Sequence, residues 1–305
     1  MLITVIILVY HNESYLDRCV ESILKSAVIA GINIQLIIVI NDPFSRLKEK
    51  KFLQNQIIIR NKSNLGFGKS INNAAKKAKG EWLLFANADT ITHEDTFSKL
   101  QAGYTNSAIG VIIPKIVNPD RTFQPSILPA LSIKNIFLEQ LYLYKLLPNL
   151  FKHPYSYKKA YESTHLVDSV SACYILIRKE TFENTGGFDT RFFLYFEDFD
   201  LCHRIRKTGQ KILFVSETEI IHYGHQSNSG VIDGNEYVNS FYKFLTKYRK
   251  KPVVYFSLIL LYIGSLLRSI VWRIKYYVSD SKNEKREYFK KYRQYLTMYT
   301  RAFGF

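Results

Sequence analysis

The stretch from Gly186 to Arg204, GGFDTRFFLYFEDFDLCHR, concentrates the residues of this chain best suited to moving a proton. Glu197, Asp198 and Asp200 lie close together there, with aromatic residues on both sides. Aromatic neighbours predict low-dielectric surroundings, and burial together with like-charge neighbours raises a carboxyl pKa toward the range useful for proton abstraction. The competing reading is the exposed acidic first turn of a helix, where Asp and Glu are favoured by the helix dipole. Two other segments could act on a phosphate. Asn87-Ala88-Asp89 sets a carboxylate beside an amide oxygen, a start for an octahedral oxygen site holding Mg²⁺ or Mn²⁺ on a diphosphate. The segment from Asn64 to Asn72, NLGFGKSIN, puts two glycines ahead of a helix expected from Ile71. Backbone can approach a ligand closely there while helix amides face it. The pattern is neither a Walker loop nor a full dinucleotide fingerprint.

The elements that must position these groups are legible as apolar runs. Thr4 to Tyr10 and Leu36 to Ile40 read as strands buried on both faces, joined by a helix from Ser14 to Ala27. Such a unit predicts a right-handed crossover in a parallel sheet. A third strand is expected at Ile57 to Arg60, a helix at Ile71 to Lys79 and a fourth strand at Trp82 to Ala86. Ligands of such sheets bind beyond the carboxyl ends of the strands, and each of these runs is followed by polar residues. They are Tyr10 to Glu13, Asn41 and Asp42, Asn61 to Gly68, and Asn87 to Asp89. Four such turns on one edge predict a ligand cleft.

The ordered set of segments resembles glycosyltransferase family 2, with the GT-A fold, and its rhamnosyltransferase-like branch in particular. The resemblance covers roughly residues 3 to 230. It runs from the N-terminal half through Asn87-Ala88-Asp89, Asp168 to Cys173, a strand Tyr174 to Arg178, the GGFD segment and Ile221 to Ser227, IHYGHQS. It implies a Rossmann-like, mostly parallel α/β sheet with flanking helices. It also implies a transferase domain over 1–240, made of a nucleotide-sugar half (1–110) and an acceptor half (111–240). Tyr10, Asn12, Glu13, Asp42, Asn64, Gly66, Gly68, Asn72, Asn87 and Asp89 then become the donor side. Asp89 and His222 become ligands of the divalent metal, and Asp198 the base of an inverting displacement. Glu197, Asp200 and Arg191 fall on the acceptor side, with pairing to Arg204 or the helix start as other uses of the first two. Asn87 stands where the family's motif has its first acid, and Ser169 and Ala172 stand where Trp and Gly are commoner.

Charge places the rest. The chain of 305 residues carries a formal charge of +16, and residues 241–305 hold fifteen Lys and Arg against three Asp and Glu. That tail therefore contributes +12, and the first 240 residues only +4. Within it, Pro252 to Leu267 is an uncharged run that, as a helix, reaches about 24 Å, short of the roughly 30 Å hydrocarbon layer. A basic, in-plane anchor on an anionic membrane surface fits that composition, and a homodimer through the C-terminal helices is the competing use. Nucleic acid is disfavoured because the apolar run has no role on it. The segment 128–151, rich in Leu and Tyr, reads as a core helix or as one facing an acceptor or a membrane. Cys19, Cys173 and Cys202 are too far apart for a disulfide framework and suit a reducing compartment. The N-terminus lacks a basic leader and reads as a buried strand.

The function expected is transfer of a sugar, with rhamnose the guess, from a nucleotide sugar to a lipid-linked or polysaccharide acceptor at the cytoplasmic face of the cell membrane. The alternatives are a nucleotidyltransferase and a non-catalytic, membrane-associated glycan-binding protein.

Overall fold

A computed structural model of the chain describes residues 1–45, 47, 56–128, 131–141, 143, 147, 158–224 and 234–302. The chain divides into two compact units. The first comprises Met1–Leu128, Lys158–Phe193 and Glu197–Ser227. Its strands are β1 (Leu2–Val9), β2 (Asn33–Ile40), β3 (Ile57–Arg60), β4 (Trp82–Asn87), β5 (Thr90–Thr92), β6 (Ile109–Val117), β7 (Ile127–Leu128), β8 (His165–Val167), β9 (Ser169–Val170), β10 (Tyr174–Arg178) and β11 (Lys211–His222). β7 and β9 form a two-stranded ribbon. The others make one sheet in the order β3-β2-β1-β4-β10-β6-β11-β5, with β8 paired to β11.

Strands β1 to β4 pair in parallel, as their unbroken apolar runs require. β10 enters between β4 and β6, antiparallel to both, and β5 and β8 run antiparallel to β11. β6 and β11 are parallel to each other, so among the described residues six of the nine strands of this sheet share one direction. The core lies along β1, β2 and β4, where Ile3, Ile6, Ile7, Ile37, Ile38, Leu83 and Leu84 have no exposed surface. Full burial of such a side chain contributes roughly 2 kcal/mol.

The strand order reverses direction between β1 and β4, because β2 and β3 extend to one side of β1 and β4 lies on the other. Such a switch point opens a crevice at the carboxyl ends of the two strands. Register sets what faces it. Leu8 pairs with Asn87 and Val9 with Ile40, so the residues after β1, β2 and β4 emerge at one level.

Local boundaries differ in two informative places. β1 ends at Val9, and a 3-10 turn over Glu13–Tyr15 precedes the helix Leu16–Ile29. The helix expected from Ile71 begins at Phe67 and ends at Ala75, so Gly68 lies inside its first turn and only Gly66 precedes it. Gly66 has φ 77 and packs under the Phe193 carbonyl, which also accepts the Phe67 amide at 3.2 Å. A side chain at Gly68 would press a Cβ to 2.7 Å from the Cβ of Phe188. Close packing, rather than turn geometry, requires the second glycine.

The second unit is helical and contains Pro129–Tyr157, Leu194–Phe196 and Asn228–Phe305. Its described helices are Ile133–Gln140, Gly234–Tyr248, Lys251–Val278 and Lys282–Ala302. Ser132 caps the first by accepting the Asn135 amide at 3.1 Å, and Pro252 occupies the first turn of the third. The Phe196 ring packs on Tyr237 and Phe241, with centroids 5.2 and 5.6 Å away. The uncharged run at Pro252 to Leu267 is part of a helix of 28 residues, about 42 Å long, because Arg268 is accommodated inside it rather than ending it. That helix is long and apolar enough to cross a membrane, and half of its most apolar window is buried inside the molecule.

Candidate active site

The carboxyl ends of β1, β2 and β4 carry most of the polar residues expected there. Beyond β1, Tyr10 is half-buried and donates its amide to Oδ1 of the buried Asn12 at 3.0 Å. Glu13 is half-buried in the following 3-10 turn. Beyond β2, Asp42 is buried, and its Oδ1 accepts the Phe44 amide at 2.9 Å. Its Oδ2 stands 3.4 Å from Nδ1 of His11, a residue with φ 57 in the polar turn after β1 that was not among the expected donor-side residues. The left-handed backbone at His11 turns its ring over Tyr10, at 4.2 Å between centroids, and toward the carboxylate.

The glycine-bearing loop is organised from beneath by Asn41. Its Oδ1 accepts from Asn61 Nδ2, the Leu65 amide and Ser70 Oγ at 2.9 to 3.0 Å, while its Nδ2 donates to Asn64 Oδ1 at 2.8 Å. Asn64 Oδ1 also accepts the Gly66 amide at 2.9 Å. Asn64 therefore shapes the loop. Asn72 faces elsewhere, donating to the Phe188 carbonyl at 2.7 Å and accepting the Phe188 amide at 2.9 Å, so it ties this helix to the GGFD turn.

Asn87, Asp89 and His222 come together across 135 residues of sequence. β5 pairs with β11 so that His222 lies opposite Thr90, and the Tyr223 amide donates to the Asp89 carbonyl at 3.0 Å. His222 Nε2 stands 3.6 Å from Asp89 Oδ1 and 3.5 Å from Asn87 Nδ2. At 3.6 Å the first contact is too long for a hydrogen bond, and Asp89 Oδ1 is buried with no hydrogen-bond partner. An orphaned carboxylate oxygen beside an imidazole nitrogen is a fit for a divalent cation. Among the described residues no group of three or more His, Cys, Asp and Glu could hold a metal. So few protein groups would leave the remaining positions of such an ion to water and phosphate oxygens.

The other ring nitrogen of His222 is held by Gln124, whose Oε1 lies 2.9 Å from Nδ1. Gln124 is itself fixed by donating to Asn118 Oδ1 at 3.0 Å. Burial of the His222 ring opposes its charge, and Cys173 and the Asp89 carboxylate outweigh burial, so the imidazole is pushed up from its ordinary value. Neither Gln124 nor Cys173 was expected at the site. Gln124 follows no motif, and only the strand pairing brings it to a histidine 98 positions later.

Asp198 lies in the first turn of the helix Glu197–Lys207, as the competing reading had it, but none of the three acids is exposed. Its Oδ1 accepts the Phe199 amide at 2.8 Å, and the Ala172 amide also reaches the carboxylate. Asp198 is half-buried, and burial outweighs these hydrogen bonds, raising the carboxyl to about 6. The neighbouring Cys173 carbonyl accepts the Asn87 amide at 2.9 Å. The residues Ala172 and Cys173 thus tie the Asp198 carboxylate to the strand that carries Asn87. Tyr195 and Phe196, just before the helix, both have positive φ, 66 and 64. Consecutive left-handed aromatic residues cost of order 1–3 kcal/mol each, strain of the kind retained where a side chain must be aimed.

The other acids divide in role. Asp200 has no exposed surface and holds Arg204 through Nε at 2.8 Å and Nη2 at 2.7 Å, while Arg204 Nη1 donates to the Thr185 carbonyl. Of the uses open to it, Asp200 takes the pairing with Arg204. Glu197 is buried at the helix start. Arg191 is exposed and forked onto Asp189, with Nη2 at 2.6 Å. Of the segment Ile221 to Ser227, residues 225–227 lie outside the described residues.

Residues 4–186 match the family model "Glycosyl transferase family 2". An N-acetylglucosaminyl-diphospho-decaprenol L-rhamnosyltransferase of Mycobacterium tuberculosis is 27% identical over 174 residues, 53% of this chain and 56% of the relative. Rhamnosyltransferase WbbL of Escherichia coli is 35% identical over 71 residues, 23% of this chain and 27% of the relative. The chain thus spans about half or less of the length of these curated relatives. Among solved structures, the mannosyltransferase PcManGT of Pyrobaculum calidifontis, in complex with GDP-Man and Mn²⁺, superposes with a TM-score of 0.52. It is 13% identical, and the match covers 98% of this chain and 84% of that one. At that identity the likeness shows the fold alone, the α/β architecture expected from the sequence.

Proposed function

Because the chain belongs to glycosyl transferase family 2, we propose that it moves a sugar, with inversion, from a nucleotide-sugar donor to a hydroxyl of a lipid-linked or cell-surface glycan. Rhamnose is the donor sugar we favour, since relatives named as rhamnosyltransferases support it. The observation that carries the reading is the pairing of the orphaned Asp89 Oδ1 with His222 on one side and a half-buried Asp198, its carboxyl raised, on the other.

The donor's nucleoside lies against the ends of β1 and β2, where Tyr10, Asn12, Glu13 and the buried Asp42 offer aromatic surface and acceptors for ribose hydroxyls. The diphosphate lies beside the first turn of the helix Phe67–Ala75, where it gains from the helix dipole. Asp89 and His222 would hold a divalent metal, Mg²⁺ or Mn²⁺. When bound, that ion neutralises the charge that builds on the departing diphosphate. Asp198 takes the proton of the acceptor hydroxyl as its oxygen attacks the anomeric carbon. The new C–O bond forms as the bond to the diphosphate breaks, and the proton ends on the carboxyl. A carboxyl raised to about 6 is basic enough for this step and still ionised at neutral pH. The work is done at the cytoplasmic face of a membrane, with 241–305 as the attachment.

The test is transfer from a panel of nucleotide sugars, nucleoside-diphosphate rhamnose included, to a lipid-linked acceptor with Mn²⁺ or Mg²⁺. The expected products are the extended glycan of inverted configuration and a nucleoside diphosphate. Release of pyrophosphate instead would make the protein a nucleotidyltransferase.

A further inference from the structure

The helix Lys251–Val278 has two unlike faces. One is spent inside its own unit: Val254, Leu258, Leu261, Ser265 and Arg268 are buried. Arg268 lies in the middle of that face, with Nη1 donating to Gln140 Oε1 at 3.0 Å and to the Gln140 carbonyl at 3.2 Å, and Nη2 donating to the Glu139 carbonyl at 2.6 Å. Gly264 makes room for this: a Cβ there would meet Arg268 Nη1 and Gln140 Oε1 at 2.6 Å. The guanidinium is also 5.6 Å from the ring of Tyr295.

The opposite face is apolar and uncovered. Phe256, Ile259, Ile263, Leu267, Ile270 and Ile274 recur at helical spacing and are each 38% to 57% exposed. Together they form a stripe about 27 Å long. Exposed basic residues stand at both ends, Lys250 and Lys251 before it, Arg273 and Lys275 at its close, and residues 251–278 include no Asp or Glu. Lys275 lies 4.6 Å over the ring of Trp272, the kind of residue pair enriched where hydrocarbon meets headgroups.

We propose that this stripe lies in the plane of an anionic membrane surface, its side chains in the acyl boundary and its terminal Lys and Arg on lipid phosphates, and that the helix does not cross. The proposal rests on the reading of 241–305 as the membrane attachment and names the surface and its mode. Crossing would bring the Arg268 face into hydrocarbon and cost its hydrogen bonds to Gln140 and Glu139. Two copies pressed stripe to stripe would set positive ends against positive ends in either orientation, whereas anionic lipid complements both ends.

The test uses the full chain and vesicles of phosphatidylcholine, with or without about 30% phosphatidylglycerol. Flotation of the wild type with the anionic vesicles, weakened roughly tenfold by omitting phosphatidylglycerol or raising salt, is the expected result. The double variant Ile263→Glu, Ile270→Glu alters only exposed positions, and unchanged circular dichroism and melting will show that it folds. It should lose at least roughly tenfold in vesicle affinity. Lys250→Gln with Arg273→Gln should weaken binding to anionic vesicles alone. Undiminished binding by the Glu variant, resistance of the bound protein to alkaline extraction, or a dimer in solution that the Glu variant splits would each overturn the proposal. Nucleoside-diphosphate binding measured without vesicles separates this surface from the donor site. Its loss with flotation intact would count against the catalytic reading and leave the membrane surface standing.

Discussion

Gln124 Oε1 lies 2.9 Å from Nδ1 of His222, on the side of the ring away from Asp89. With Nδ1 directed to Gln124, Nε2 is turned to the position beside the orphaned carboxylate oxygen, where a metal would take the place of its proton. A metal-binding imidazole needs such a partner to fix its tautomer and orientation.

Removing that partner should loosen the metal without touching it. Gln124→Ala is expected to weaken Mn²⁺ affinity roughly 10- to 100-fold in the presence of a nucleoside diphosphate. Titration calorimetry or Mn²⁺ electron paramagnetic resonance reads this directly. Gln124→Glu, which keeps an acceptor oxygen, should recover most of the affinity. Equal affinity in Gln124→Ala and the wild type would remove Gln124 from the site.

Asp198 supports a paired prediction on rate and stability. Its carboxyl sits near 6 in the fold against an unfolded value of 3.8, so kcat/KM should rise with pH through about 6 and then level off. Asp198→Asn should cost about 10²- to 10⁴-fold in transfer. The sign for folding is opposite. The folded state binds this proton more tightly than the unfolded one, so stability from this group is complete below pH 3.8 and declines as pH rises through about 6. Asp198→Asn removes that burden and should stabilise the protein at pH 7 by order 1–3 kcal/mol. Thermal melting of the two proteins at pH 4 and pH 7 checks it: the difference must widen toward pH 7.

Gly66 combines positive φ with a carbonyl pressed against the position where a Cβ would stand. Gly66→Ala must either move Phe193, whose carbonyl caps the helix at Phe67, or shift the loop. A loss of about 2–4 kcal/mol in urea unfolding is expected. Donor affinity should fall with it if the diphosphate binds beside this helix start as proposed.

Asn72 makes a two-way bond with the Phe188 backbone, donating at 2.7 Å and accepting at 2.9 Å. Asn72→Ala leaves a buried carbonyl and amide without partners and should cost about 2–4 kcal/mol. Asn72→Asp is nearly isosteric, yet it sets a second acceptor against the Phe188 carbonyl, so it should destabilise at least as much. A smaller effect of Asp than of Ala in chemical denaturation would show that the Phe188 carbonyl does not need this donor.

Strand identity was legible in the sequence because a buried parallel strand must be apolar on both faces. Ile57–Arg60 and Tyr174–Arg178 match what was read, and β1, β2 and β4 differ by a few residues at their ends. The polar residues after those strands, Asn12, Asp42, Asn87 and Asp89, followed from the same pattern, since the chain turns polar where it leaves the core. The acidic start of the helix at Glu197 was equally visible. Other features depended on partners distant in sequence, and no local pattern encodes them. Asn72 went to Phe188, 116 residues away. Gln124 reached His222 only because β5 and β6 flank β11 in one sheet. Composition announced a basic, apolar tail. Burial of Arg268 against Gln140 decided which side of its long helix stays outside, because a charged group withdrawn from water must take its hydrogen-bond partners from whatever element packs against it.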